Sequence, residues 1–539
     1  MRSQPRGRER PAQPAHETRA DSASTPQPTQ RPADRTSAAR TPPRRSGSRR
    51  IPWQGDPEGA ESPLPSGEHD FVVVANRLPV DITVAHDGSL TWERSPGGLV
   101  TALAPIMRQN AGAWVGWSGT AGFEHEPFDG EGMRLWPVPL SEREVADYYE
   151  GFSNGTLWPL YHDVIVPPEY HRTWWNAYVS VNRRFAAAAA EAVAPGGTVW
   201  VHDYQLQLVP SVLRLLRPDV KIGFFNHIPF PPVEIFGQLP WRRQVVEGLL
   251  GADLVGFQRP GDAANFLRSV RRLTDLQVRG PQVTIPGRWS RPDRQVRAQA
   301  FPISIDAAAF DELARTPEVL ARAQEIRTEL GSPEVLLLGV DRLDYTKGIQ
   351  HRLKAFGELL EDGQLHAPES CMVQVASPSR ERVEQYRMLR DEVEGTVGRI
   401  NGEFGALGRA AVHYMHHSYP MEEMAALYRA ADVMLVTSLR DGMNLVAKEY
   451  IAARSDLGGA LVLSEFTGAA DELGQALMIN PHDIDGTKAT IMRAVTMEPK
   501  EGRRRMRNLR KRVIEHDVRR WADDFLGYLA MTAPHQETP

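Results

Sequence analysis

One local pattern, repeated along the chain, limits what it can become. A run of apolar and β-branched residues stops abruptly at polar or charged ones, and a stretch compatible with a helix follows. Residues 71–75 end in Asn76-Arg77, residues 198–201 in His202-Asp203-Tyr204, and residues 221–225 in Asn226-His227. Further on, residues 335–340 end in Asp341-Arg342, residues 372–376 in Ser377-Pro378-Ser379-Arg380, and residues 433–436 in Thr437 and the turn to Asp441. Runs of this kind read as strands buried on both faces of a parallel sheet. Strands alternating with helices give a doubly wound α/β fold, which gathers its ligand outside the carboxyl ends of the strands. The polar tips are therefore where function is expected. With 539 residues there is room for two large domains, and the boundary is placed near Asp306.

Composition excludes other classes. No apolar run reaches the length of a membrane span. The single cysteine, Cys371, permits neither an intrachain disulfide nor a cysteine-based metal cluster, which suits a cytoplasmic protein. A formal charge of −5 gives no reason to expect nucleic acid. Residues 1–50 stand apart: 12 Arg face four acids, a net +8, with eight Pro and no Leu, Val, Phe, Tyr or Trp. Such a segment cannot bury a core, so a disordered Arg/Pro-rich tail is expected over 1–69. It has neither the apolar face of a transit helix nor the apolar core of a secretory signal.

The densest chemistry lies at Arg440-Asp441-Gly442-Met443-Asn444-Leu445-Val446-Ala447-Lys448-Glu449. Gly442 is read as the residue that lets the backbone bend, and a helix is expected from Asn444 onward. Free N–H groups at a helix start favour a phosphate. Asp441 at the mouth and Glu449 two turns in would be repelled by one and suit sugar hydroxyls, as a ribose-binding acid does. The stretch reads as a nucleotide-sugar site, or as an ordinary strand–turn–helix with a solvated acid. Arg342 and Lys347 lie around another such turn. A guanidinium fork and an ammonium point charge suit a diphosphate, although Asp341 and Asp344 are near enough in sequence to pair with them instead. In the first half, residues 81–96 read as a polar loop leading to Gly97-Gly98-Leu99 and a helix to about Gln109, without the full dinucleotide fingerprint. Trp117, Tyr149 and Trp158 read as core by type. His413, His416 and His417 share no helical face and are not read as a metal site. The basic stretch 503–512 reads as a solvated helix.

Residues 439–450, Leu-Arg-Asp-Gly-Met-Asn-Leu-Val-Ala-Lys-Glu-Tyr, resemble the signature of the trehalose-6-phosphate synthases, retaining glycosyltransferases of the two-Rossmann-domain (GT-B) type. Similar matches occur at 200–206, 224–231, 253–258, 301–303, 342–348, 377–380 and 461–470. The resemblance implies an α/β fold of two doubly wound, Rossmann-like domains facing a central cleft. These are an acceptor domain over 70–305, a donor domain over 306–500, and helices over 501–530 that cross back to the first. It implies transfer of glucose from UDP- or GDP-glucose to glucose 6-phosphate, with retention, giving α,α-trehalose 6-phosphate. Asp203, His227, Arg342, Lys347 and Asp441 would be catalytic. Gly98, Gly442, Met443, Asn444, Leu445, Val446 and Glu449 would join Arg342, Lys347 and Asp441 on the donor. Arg77, Trp117, Tyr149, Trp158, Asp203 and Arg380 would hold the acceptor. Front-face attack would retain configuration, the donor phosphate oxygen taking the acceptor proton. No cofactor and no metal is expected, since Arg and Lys can neutralise the diphosphate, and no membrane partner. A homo-oligomer, dimer or tetramer, is implied. Two other readings share these residues: a related enzyme that joins cyclitols without a glycosidic bond, and a regulator that binds sugar phosphate without turnover.

Overall fold

A computed structural model of the chain describes residues 67–532 apart from 85–89, 95–99, 101–102, 104–106, 108–111, 131 and 288–292. Residues 1–66 of the expected tail, Gly98 and most of the helix expected up to Gln109 lie outside the described residues, and His69, placed in the tail, instead begins the first strand.

Strands come in chain order as β1 (His69–Arg77), β2 (Val80–Val84), β3 (Leu90–Arg94), β4 (Ala113–Trp117), β5 (Phe128–Gly130) and β6 (Met133–Pro137). They continue as β7 (Val193–His202), β8 (Lys221–Phe225), β9 (Leu254–Phe257), β10 (Gln277–Arg279), β11 (Gln282–Ile285) and β12 (Arg294–Ala300). β2 and β3 pair antiparallel as a separate hairpin, so the span read as a polar loop is in part a ribbon. The other ten form one sheet in the order β10-β11-β12-β9-β8-β7-β1-β4-β6-β5. Every neighbour from β12 to β6 is parallel, and the outer strands β10, β11 and β5 are antiparallel. Valines fill the centre of β1 because a strand covered on both faces rewards β-branched side chains: Val72, Val73 and Val74 are fully buried.

A second sheet takes β13 (Val335–Arg342), β14 (Ser370–Ser377), β15 (Val412–Met415), β16 (Val433–Val436), β17 (Ala460–Ser464) and β18 (Leu477–Ile479). All its pairs are parallel, in the order β15-β14-β13-β16-β17-β18. Each sheet thus winds outward both ways from a central pair. In the first, β1 leads to β4 and β6 on one side, and the chain returns on the other with β7, β8 and β9. In the second the pair is β13 and β16. A crevice opens where the winding direction reverses, because the connections leave to opposite faces there. Asn76-Arg77 and His202-Asp203 flank one crevice, and Arg342 to Lys347 and Thr437 to Asp441 flank the other.

The last described helix returns to the first sheet. The helix Val518–Ala530 lays Trp521 and Phe525 on the first sheet, with Phe525 stacked 4.6 Å from Trp200 and Trp521 edge-on 5.1 Å from Phe225. Gly223 in β8 and Gly256 in β9 make the room, since a Cβ there would fall 2.7 and 2.8 Å from the Phe525 ring. Lys221 Nζ donates to the Ala530 carbonyl at 2.9 Å. The preceding helix, Pro499–Glu515, is not solvated all round as its basic residues suggested. Met506, Leu509 and Val513 are buried on one face, and Arg510 is buried beside them against Asp311 at 2.8 Å.

Candidate active site

The mouth of the second sheet is a lattice of compensated charge. Lys347 Nζ lies 2.6 Å from Asp441 Oδ2, and the Ser438 hydroxyl and Asn444 amide donate to the same carboxylate at 3.3 and 3.2 Å. Burial alone would raise the Asp441 pKa, but Lys347 and the Asn444 amide hold it below its ordinary value. Asn444 does not begin the helix, as the sequence suggested. It caps the helix Leu445–Ala453, its Oδ1 accepting from the Ala447 N–H at 3.0 Å, with φ at +80°. Asp344 is fully buried and held low by Arg380 at 3.0 Å, with Arg342 at 4.0 Å adding to the effect. Arg380 is 5% exposed and Arg342 47%. Both stand over the Trp158 ring, at 3.8 and 5.3 Å from its centroid. Of the two, Arg342 is the more exposed, and Trp158 is a platform for both. Glu449 lies just over one turn along the helix rather than the two expected; it accepts from the Tyr428 hydroxyl at 3.0 Å, and burial pushes its pKa up.

The mouth of the first sheet is built differently. Asp203 sits at φ +74° and accepts the His227 N–H at 3.1 Å. Burial pushes its pKa to about 6, although those N–H bonds, Arg342 and Arg380 all pull the other way. Burial drives His227 down to about 3 and His202 well below its ordinary value, so both rings are neutral. Arg77 pairs with Asp81 at 2.5 Å and lies 5.2 Å over Trp117, whose ring is 5.9 Å from Tyr149. Tyr149 and Tyr148 belong to a π-helix, Val145–Leu157, whose wider turn is common where side chains must be re-aimed at a site.

The two mouths touch. Arg380 Nη2 donates across to the Tyr204 hydroxyl at 3.2 Å, and Arg440 reaches Asp163 at 3.2 Å and Asp262 at 3.7 Å. Arg259 forks onto Asp471 at 2.7 and 2.8 Å. Gly442 has a different role from the expected one. It takes no left-handed φ; a Cβ on it would stand 2.2 Å from the His227 carbonyl oxygen and 3.1 Å from Ile228 Cα. It is glycine because two backbones pass there. Met443 is buried under this crossing, its carbonyl taking the Ala469 N–H at 2.9 Å, and Leu445 and Val446 begin the helix beside it. Asp203, Arg380 and Asn444 all hold left-handed φ angles of 74°, 50° and 80°. Such angles cost about 1–3 kcal/mol each and persist where the surroundings over-determine them, typically at sites.

The sequence did not disclose several contributors. Arg352, fully buried, binds Asp341 at 2.6 Å, Thr437 Oγ1 at 2.8 Å and the Lys347 carbonyl at 3.1 Å, pinning the loop that carries Lys347. The available signal was a cation among Ile349, Leu353 and Phe356 on one helical face. Lys448 ties the halves together, 2.8 Å from the Ile303 carbonyl and 2.6 Å from Glu472. His162 is buried, its Nδ1 on the Trp158 carbonyl at 2.7 Å, and burial takes its pKa to about 4. Nothing in its neighbourhood in sequence marked it.

What such a cleft resembles is clear by comparison. The model of glycosyltransferase family 20 matches residues 69–531. The trehalose-6-phosphate synthase of Mycobacterium sp. (strain JLS) is 60% identical over 479 residues, 88% of this chain and 99% of that one. A solved structure from E. coli bound with UDP-2-fluoro glucose superposes with a TM-score of 0.78 at 33% identity, covering 86% of this chain and 99% of that one. An α,α-trehalose-phosphate synthase (UDP-forming) from Burkholderia xenovorans, in complex with glucose-6-phosphate, gives 0.77 at 34%, covering 85% and 99%.

Proposed function

Because the chain belongs to glycosyltransferase family 20, we propose that it transfers glucose from a nucleotide-glucose to glucose 6-phosphate with retention, forming α,α-trehalose 6-phosphate and a nucleoside diphosphate. The observation that carries this reading is the pairing of Lys347 with Asp441 at the start of a helix, beside the half-exposed Arg342. A leaving diphosphate gains charge as the glycosidic bond lengthens. Preorganised cations placed where that charge grows stabilise the transition state more than the ground state. Lys347 and Arg342 fill this role, with the N–H groups after Asn444 adding the helix end. Asp441, kept ionised, orients the donor glucose through its hydroxyls, and Glu449 holds the ribose.

On the facing mouth, Asp203 receives the acceptor sugar and His227 the transferred one. Arg77 and Arg380 address the acceptor phosphate from opposite walls. Asp441 and Asp344 are engaged by cations, and Asp203 accepts the His227 N–H with its pKa raised to about 6; we read the reaction as front-face attack, with the donor phosphate taking the acceptor proton. We read the diphosphate as neutralised by Arg342 and Lys347 without a metal ion, and the chain as a cytoplasmic homo-oligomer. Incubating the protein with UDP- or GDP-glucose and glucose 6-phosphate should yield a phosphorylated, non-reducing disaccharide. No product from any nucleotide-glucose, or a coupled product lacking a glycosidic bond, would overturn the reading. The two donors run in parallel identify the base.

A further inference from the structure

Two polar side chains at the first mouth, His202 and Gln258, are absorbed by none of the roles above. Both contact the ring of His227. The Gln258 amide is oriented by its surroundings: its Oε1 accepts the Ile303 N–H at 2.9 Å, so its NH2 faces His227 Nδ1 at 3.5 Å. An NH2 group can only donate, so Nδ1 must carry the lone pair and Nε2 the hydrogen. Nε2 in turn lies 3.0 Å from His202 Nδ1, which must accept. The hydrogen of His202 then sits on its own Nε2, which is buried without a hydrogen-bond partner, the His202 ring lying 4.7 and 6.4 Å from the Trp200 and Trp521 centroids. The series runs one way, from the Ile303 backbone to the aromatic wall supplied by the C-terminal helix.

We propose that Gln258 and His202 are positioning residues that lock His227 into one neutral tautomer and one ring orientation. This rests on the reading of His227 as a contact of the transferred sugar. The lock reaches the main chain. The His227 N–H is held by Asp203, the Asn226 amide donates to the Ile228 carbonyl at 2.6 Å, and Gly442 packs on the His227 carbonyl. The titratable groups facing His227 are the His202 ring on β7 and the Asp203 carboxylate on its own N–H; Gln258, Phe225 and Trp521 bring no charge.

Nitrogen NMR of the full chain labelled with 15N-histidine, with His227→Gln used for assignment, reads the tautomer directly. The expected spectrum has a protonated Nε2 and a bare Nδ1 for His227, unchanged down to pH 5. A protonated Nδ1, or averaged nitrogens, overturns the proposal whatever the reaction is. Gln258→Glu reverses the donor, because a carboxylate only accepts. The hydrogen should move to Nδ1 and the ring should charge near neutral pH, adding an acidic limb to the pH–rate profile. His202→Asn, which keeps an acceptor where Nδ1 lies, should retain the tautomer and most of the rate. His202→Leu should lose the tautomer and about 10–100-fold in kcat, the scale set by removing a histidine's outer partner. Equal losses in both His202 variants with an unshifted spectrum mean packing alone, and overturn the positioning role. If the spectra behave as expected but His227→Ala turns over nucleotide-glucose normally, the reading of His227 at the sugar fails instead.

Discussion

The two mouths of the cleft solve opposite electrostatic problems. On the second sheet, cations and carboxylates are buried together, Lys347 against Asp441, Arg380 against Asp344 and Arg352 against Asp341, whose pKa burial still raises to about 6, while Glu449 meets the Tyr428 hydroxyl. On the first, burial is met by neutrality: two uncharged histidines, tyrosines bonded to amides, and an aspartate whose pKa is pushed to about 6. Under the proposed function, the difference follows what each mouth would bind. A diphosphate acquires charge during reaction and needs fixed counter-charge. A hexose is neutral and needs directional hydrogen bonds and apolar faces, with cations only where its phosphate lies.

The largest effects should come from the charged mouth. Arg342→Ala and Lys347→Ala should each lower kcat by about 10²–10³, the cost of removing one preorganised charge partner. Thermal melts should separate them. Arg342 is half exposed and should cost little stability, whereas Lys347→Ala leaves Asp441 buried and uncompensated and should lower Tm. Near-normal turnover in either would remove that side chain from the diphosphate site.

Breaking the seam between the mouths should come next. Gly442→Ala places a methyl within 2.2 Å of the His227 carbonyl, which must move. Displacement on the order of 1 Å costs about 10² in rate, so kcat should fall while nucleotide-glucose still binds, measured by calorimetry. An unchanged kcat would show that the crossing is no part of the working geometry.

Acceptor discrimination should change by less per residue. Each charge-assisted bond to phosphate contributes about 1.5–3 kcal/mol, so Arg77→Ala and Arg380→Ala should each erode the preference for glucose 6-phosphate over glucose by roughly 10–10². Both arginines are already paired, with Asp81 and Asp344, so the phosphate must compete for or share them. Full preference in both variants would leave the phosphate to other groups.

The smallest effect concerns stability. Asp203 has a raised folded pKa, so the unfolded chain releases this proton first. Its contribution is most favourable below about pH 4 and is lost as pH rises through about 6. Asp203→Asn should therefore lose activity yet match or exceed the parent's Tm at pH 8, with the advantage gone near pH 4. A lower Tm at pH 8 would contradict the burial-driven shift.

The strands and their polar tips were legible because parallel strands announce themselves as apolar runs. So Arg77, Asp203, His227, Arg342 and Asp441 could be placed at sheet mouths from the sequence. What the sequence concealed depends on approach between distant segments. Gly442 looked like a hinge because a glycine after a strand usually is one; its crossing with His227 is a contact across more than two hundred residues. Asn444 has the composition of a helix start, and only its φ shows it to be the cap. Lys448 and Arg352 are buried cations whose partners, Glu472 and Asp341, come from other elements that local spacing does not reveal. The short edge strands β5, β10 and β11 are too brief and polar to stand out.

The placement of Trp521 and Phe525 on Trp200 and Phe225 also has a consequence for biosynthesis. A ribosome completes β1 to β12 long before it reaches residue 518, so the first sheet emerges with this aromatic face and the glycine channel beside it uncovered. It stays so until the second sheet and the final helix have been made. The nascent first half is therefore the aggregation-exposed stage of this chain's life, and its last thirteen-residue helix is what ends it.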